Sequence, residues 1–239
     1  WSFAFRWRYP DALPASWTLD TWARQAEALW RIAGTTLAIG AAAALIALAL
    51  TLACLENEQR HGKAPGSRAL WLLYLPLLVP QIGFLFGVQT LTAWSGLDGG
   101  WLAVIWSHLL FVLPYAFLAL ADPYRALDPR YARAALCLGA PPWRVFWRVK
   151  LPLLLRPALI AGAVAFAVSV AQFLPTVFAG AGRFSTLTTE AVSLAGGGDR
   201  RVIGVYAFLQ AALPLAVFAL AIAIPAWRAR NRRLLRGGQ

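Results

Sequence analysis

Apolar positions along this chain fall into five long blocks instead of alternating or spiralling as narrow stripes. Ile32 to Leu55, Ala69 to Leu97, Trp101 to Ala121, Pro157 to Gly182 and Val202 to Trp227 contain no Asp, Glu, Lys or Arg. Each block exceeds the ~20 helical residues that cross ~30 Å of hydrocarbon. Their continuity predicts helices and not barrel strands, since a helix satisfies its own backbone in lipid. Spans are expected over about 32–55, 69–94, 101–121, 153–180 and 202–227, which makes the chain an all-α membrane protein with a five-helix core. Trp30, Trp71, Trp94, Trp101 and Trp227 stand at block ends, where aromatic belts sit.

Composition agrees: 60% of the 239 residues are hydrophobic, 13% are charged, and the net charge is +12. A soluble globular domain does not carry that balance. The basic residues set the orientation. The connections Glu56 to Arg68 and Asp122 to Lys150, with the tail after Trp227, hold fourteen Lys or Arg. The opposite side holds seven: Arg6, Arg8, Arg24, Arg31, Arg183, Arg200 and Arg201. The excess makes the first side cytoplasmic, so the N-terminus is expected outside and the C-terminus inside. An exported start with Trp1 and no signal peptide is most simply the later part of a longer polypeptide, a cleaved signal sequence being the alternative.

Three regions flank or interrupt the spans. Residues 1–31 form a Trp-rich leader outside the membrane. From Thr18 onward its Trp22, Ala26, Leu29 and Trp30 share a helical face, as an interfacial helix requires. The outer loop from Gly180 to Arg201 contains a segment, STLTTEAVSLA, expected to form a short helix lying on the membrane surface. The basic tail, residues 228–239, serves as an anchor to anionic lipid. Cys54 and Cys137 fall on or near the reducing side, and no disulfide is expected.

The 29 residues from Asp122 to Lys150 are too many for a simple turn between spans. Asp128 before Pro129 is an N-cap followed by a first-turn proline, predicting a helix from Pro129 to about Leu138. Gly139 ends it in the left-handed conformation, and Pro141 and Pro142 prevent its continuation. A second helix from Pro142 gathers Trp143, Phe146 and Trp147 on one side, with Arg144 and Arg148 pointing away. The first helix is small and apolar along Ala132, Ala135 and Leu136, a face suited to a groove on another protein. A solvated basic loop is the plainer reading of the same charges.

The stretch resembles the EAA loop of permease subunits of ABC importers: Glu-Ala-Ala, three residues, Gly, nine residues, Ile, one residue, Leu-Pro. Here the order is Arg133-Ala134-Ala135, three residues, Gly139, nine residues, Val149, Lys150, Leu151-Pro152. The spacing is intact, and the loop falls between the third and fourth of five spans, as in that family. The resemblance extends over Ile32 to Trp227 and is greatest to the second half of fused, two-core permeases of thiamine-like or ferric-iron-type importers. It implies the five-helix core of a type I importer permease in a bacterial inner membrane. It also implies that Asp128, Ala132 to Leu136, Gly139, Val149, Leu151 and Pro152 form a coupling element seated on a cytoplasmic ATPase. A second permease half and an external, periplasmic or lipid-anchored solute-binding protein are the other implied partners. Arg133 departs from the pattern by reversing the charge of the family's Glu.

Ser169, Gln172 and Thr176 form a polar stripe in the fourth span, and Pro175 beside them should kink the helix. They either line the translocation path or bond helices together. Gln81, Gln89, His108 and Gln210 are weaker candidates. No Gly-rich run ending in Gly-Lys-Ser/Thr is present, so ATP hydrolysis is assigned to a partner and the chain is not expected to be an enzyme. No His-Glu-x-x-His or Gly-x-Ser-x-Gly pattern occurs, and no cofactor or metal is expected. An ion-coupled carrier or channel is the competing class, but the spans lack the carboxylates such proteins use. Nucleic-acid binding is disfavoured because the basic residues follow membrane orientation instead of forming one surface.

Overall fold

The computed structural model describes residues 1–7, 10–197 and 199–234, and for 6 and 228–234 the backbone alone. Arg8, the side chains of the tail arginines and residues 235–239 lie outside this description. Among the described residues the regular structure is helical apart from a small hairpin of β1 (Ala4–Arg6) and β2 (Ser16–Trp17).

The first span is part of α1, Asp20–His61, an unbroken 42-residue helix. At 1.5 Å per residue it is about 60 Å long, twice the hydrocarbon thickness. The helix expected from Thr18 onward begins at Asp20 and runs directly into the span. Leu29 faces inward against Ile32, while Trp30, one step of about 100° further on, is 81% exposed, which removes Trp30 from the face expected of it. The hairpin folds back onto this helix. Trp22 Nε1–H donates to the Ser2 carbonyl at 3.1 Å, and Phe3 stacks on Trp22 while meeting Phe208 edge-on.

The second apolar block is two helices and not one: α2 (Ser67–Leu78) and α3 (Gln81–Trp94) meet at 108°. Pro80 is the cause. It has no amide hydrogen to give, and its ring pushes Val79 into the extended region, φ −90° and ψ 141°. The third block is α4, Trp101–Arg125, whose internal Pro114 and Pro123 do not break it.

The fourth block is also broken. It comprises α8 (Leu155–Val170) and α9 (Leu174–Gly180), with the interruption just before Pro175, where the proline was expected to act. The freed carbonyls are recaptured by hydroxyls, as a membrane interior demands: Val170 O accepts from Thr188 Oγ1, and Gln172 O from Thr176 Oγ1 at 2.8 Å. The loop from Gly180 to Arg201 forms α10, Leu187–Ala195, opened by a capping box at Thr186 and Thr189. It does not lie loosely on a surface. Leu187 is buried against Leu29, Ile32, Val205 and Tyr206, and its amide bonds to Thr36 Oγ1 at 2.9 Å. The last span belongs to α11, Arg200–Leu234.

Among the described residues three helices, α1, α4 and α11, are long and apolar enough to cross a membrane, or five if two bent pairs each count as one span, α2 with α3 and Pro142–Leu153 with α8. At the centre, α8 meets α1 and α4 through Ala44, Ala47, Val112, Ala116, Ala165 and Phe166. Small residues let the backbones approach closely, which is how apolar helices associate where lipid competes for every apolar contact. Trp30, Trp71, Trp94, Trp101 and Trp227 are all exposed.

Candidate functional site

Two groups of polar residues stand out, one inside the bundle and one at the end bearing the long loop. The inner group is centred on His108 of α4. Its Nδ1 lies 2.7 Å from Ser169 Oγ on α8, and its Nε2 lies 2.9 Å from Thr176 Oγ1 on α9. Thr176 spends its own proton on Gln172 O, so it accepts from His108 Nε2–H, and Nδ1 accepts from the Ser169 hydroxyl. Gln172 Nε2 donates to the His108 carbonyl at 3.2 Å. All four residues are buried. These bonds tie the Ser169, Gln172 and Thr176 stripe to α4. Gln89 is exposed, and Gln81 and Gln210 are half-buried.

The second group begins with the loop. Its first helix, α5, spans Pro129–Cys137, and Asp128 caps it by accepting from the Arg130 amide at 2.8 Å. Gly139 adopts φ 81°, the left-handed conformation that ends the helix at little cost to glycine alone. Ala132 and Ala135 are half-buried, whereas Arg133, Ala134, Leu136 and Gly139 are exposed, and Leu138 is 88% exposed. The neighbours of α5 are the next elements of the same loop: α6 (Pro142–Val145) and a π-helix (Phe146–Lys150). A short α7, Leu151–Leu153, follows, and the chain turns through 78° at Leu154 into α8. Val149 and Leu151 are half-buried and Pro152 is exposed.

The second arm turns its two tryptophans outward and other residues inward. Trp143 and Trp147 are exposed, while Val145 and Lys150 face inward. A widened π turn from Phe146 to Lys150 resets the angular spacing that an ideal α-helix would keep and carries Lys150 inward. A cleft of about 480 Å³ separates Trp143, Phe146 and Trp147 from Ala49, Leu52, Ala53 and Asn57 of α1.

Lys150 was counted from the sequence only as an orientation charge. Its Nζ donates to Glu56 Oε2 at 2.7 Å, with the side chains 6% and 12% exposed. Tyr124 OH, at the end of α4, donates to the same oxygen at 2.5 Å, and Arg60 Nε to Glu56 Oε1 at 2.6 Å. Nearby, Arg125 grips Glu58 with two bonds of 2.8 and 3.0 Å. Burial raises the Glu56 carboxyl, but bonds from Lys150, Tyr124 and Arg60 outweigh it and hold the group below its ordinary value. Tyr124 is pushed upward by burial and by the adjacent carboxylate. No sequence signal pairs Glu56 with Lys150. The only hint is a lysine immediately before the apolar Leu-Pro that re-enters the bundle.

Among the described residues no group of three His, Cys, Asp or Glu is placed to hold a metal, and both cysteines are exposed and unpaired as disulfides. The chain therefore offers an exposed, capped helix on a basic loop, a buried ionic clamp beneath it, and a hydrogen-bonded break in its central span.

Comparison with known proteins gives this arrangement a family. The chain is 44% identical over 201 residues to the inner membrane ABC transporter permease protein YnjC of Escherichia coli strain K12, covering 84% of this chain and 38% of that protein. It is 31% identical over 189 residues to the molybdenum transport system permease protein ModB of Mycobacterium bovis, covering 73% and 70%. To the thiamine transport system permease protein ThiP of Salmonella typhimurium it is 29% identical over 167 residues, covering 66% and 31%. The chain thus spans well under half the length of YnjC and ThiP. Residues 46–226, from the middle of α1 to the membrane-spanning part of α11 and including the whole loop, match one family model. The chain belongs to the family described as the binding-protein-dependent transport system inner membrane component.

Proposed function

We propose that this chain is a permease component of an ATP-binding-cassette importer, which forms part of a solute path and is driven by a separate cytoplasmic ATPase through the loop carrying α5. The observation that carries the reading is the exposure of α5. A short helix with a capped start, a glycine stop and an apolar surface including Leu136 and Leu138 is built and then left uncovered. A solvated loop kept only for its charge needs no such construction. The family match and the intact loop spacing support the same reading. Arg133 is exposed on this helix, so the charge reversal alters what the ATPase meets and leaves the helix itself undisturbed.

The partners in this reading are the ATPase subunits, a second permease half, fused or separate, an external solute-binding protein and membrane lipid. The loop side faces the cytoplasm and Trp1 the exterior, in keeping with the basic residues. With the Ser169, Gln172 and Thr176 stripe turned inward, α3, carrying exposed Gln89 and half-buried Gln81, is the candidate lining of the path. The solute in this reading is thiamine-like or ferric iron, the former supported by a relative that is a thiamine transport permease.

Affinity purification of the full-length protein from its native membrane, with partners identified by mass spectrometry, tests this. Recovery of a P-loop ATPase is expected, and its loss when Arg130 to Val149 is deleted. A preparation free of ATPase that moves solute into vesicles without ATP would return the chain to the carrier class.

A further inference from the structure

We infer that Glu56 and Lys150 form a rigid joint that makes α1 and the second arm of the loop move as one body, with Lys150 the positioning residue. The inference rests on the coupling role proposed above and specifies how displacement of α5 reaches the bundle.

α5 packs on α6 and the π-helix, so its movement passes through that arm. The arm leaves toward the bundle by two routes. One is covalent, through Leu151 to Leu153 into α8, but it contains the 78° corner at Leu154. A corner entered through a three-residue helix is where a chain bends most easily, so this route alone transmits displacement poorly. The other route is the Lys150 side chain, which reaches α1 through Glu56.

The chemistry of this second route is that of a fastener. A lysine needed only to mark the cytoplasmic side works best in water, and burying it costs several kcal/mol unless it is paired. Lys150 is buried and paired. Glu56 in turn takes donors on both oxygens: Lys150 from the loop and Tyr124 from α4 on one, Arg60 from its own helix on the other. One carboxylate therefore ties three segments together that lie 68 and 94 residues apart in sequence. The open cleft beside it, lined by Trp143, Phe146 and Trp147, leaves the arm without close packing against α1 on that side. The ionic contact is what fixes its distance.

Both native cysteines of this chain are exposed, one on each side of the joint: Cys54 in α1 and Cys137 at the end of α5. Spin labels at these two positions, in the complete complex with its ATPase in lipid nanodiscs, report the distance across the joint. The distance is measured with ADP and with a non-hydrolysable ATP analogue plus magnesium. In the wild-type complex the Cys54 to Cys137 distance should hold within about 2 Å between the two nucleotide states, the scale of small helix shifts. In Glu56→Gln/Lys150→Met, which leaves no unpaired buried charge, it should move or broaden by about 5 Å, the scale of one helical turn. Lys150→Met alone, where Glu56 keeps Tyr124 and Arg60, is the second variant should the double one fold poorly.

A wild-type distance that shifts as much as the variant's overturns the joint, and so does a variant that stays as rigid as the wild type. Both results leave the coupling role standing. Failure to recover any ATPase with the wild-type protein removes the coupling role and the joint with it. If the pair were purely stabilising, the variant would melt lower without any change in how the distance answers to nucleotide.

Discussion

His108 Nε2 and Thr176 Oγ1 lie 2.9 Å apart, and the bond between them joins α4 to α9, beyond the break in the fourth span. The other ring nitrogen bonds to Ser169, before the break. One imidazole on α4 therefore holds α8 and α9 at a set angle where the backbone has stopped doing so. His108→Leu keeps the volume and removes both bonds. Hydrogen bonds between membrane helices are worth about 0.6 to 2 kcal/mol each, so the variant should melt a few degrees lower when followed by tryptophan fluorescence in detergent. An unchanged melting temperature would mean that the proline and the surrounding packing set the angle without the histidine.

Gly139 has no neighbour within 4 Å that would obstruct a side chain, so its constraint is the backbone angle, φ 81°. An L-residue in the left-handed region costs about 1–2 kcal/mol, and a β-branched one more. Gly139→Val should therefore insert into the membrane in normal amounts but hold α5 in a different pose, with ATP hydrolysis by the assembled complex reduced severalfold. Full hydrolysis and transport in that variant would count against the role assigned to α5.

Gly40 presents the opposite case, a glycine required by a close approach. A methyl group there would fall 2.8 Å from the Phe166 ring, where α1 crosses α8. Gly40→Ala should destabilise the bundle by about 1–3 kcal/mol through overpacking. Gly34, six residues earlier on the same helix, has nothing within 4 Å, and Gly34→Ala should be neutral or stabilising by up to about 1 kcal/mol. Thermal unfolding of the two variants side by side distinguishes packing from helix propensity.

The Glu56 carboxyl titrates below its ordinary 4.5 because Lys150, Tyr124 and Arg60 all donate to it. A group whose folded value is depressed contributes stability that is complete above the unfolded value and is lost as the pH falls through the folded one. The gap in melting temperature between wild type and Glu56→Gln should therefore be constant from neutral pH to about 5 and close only in more acidic solution. A gap that closes between pH 8 and 6 would show that a different group governs the clamp.

Much of the architecture was written in local chemistry. Five charge-free blocks read as helical whatever their neighbours, because lipid offers the backbone no other partner, and three of them lie in single helices long enough to cross a membrane. The Asp128 cap and the Gly139 stop are equally local, and the structure places both where their side chains and dihedral angles require. Proline effects were legible where the ring acts on its own helix, at Pro175. The 108° corner at Pro80 was not, because a proline in an apolar run either kinks or breaks it according to what packs around the freed backbone.

What only the tertiary structure decided is which residues meet. Ser169, Gln172 and Thr176 read as one stripe, yet whether a stripe faces a path or a neighbour depends on the helix opposite, and the residue opposite is His108, more than 60 positions away. Lys150 read as one positive charge among fourteen on its side, because charge counting carries no information about burial. Its place beneath the loop follows from the π turn and the corner at Leu154, which aim it at Glu56. Hydrophobic length is a property each segment owns by itself, and the sequence states it; a contact belongs to two segments at once and exists only when the chain has folded.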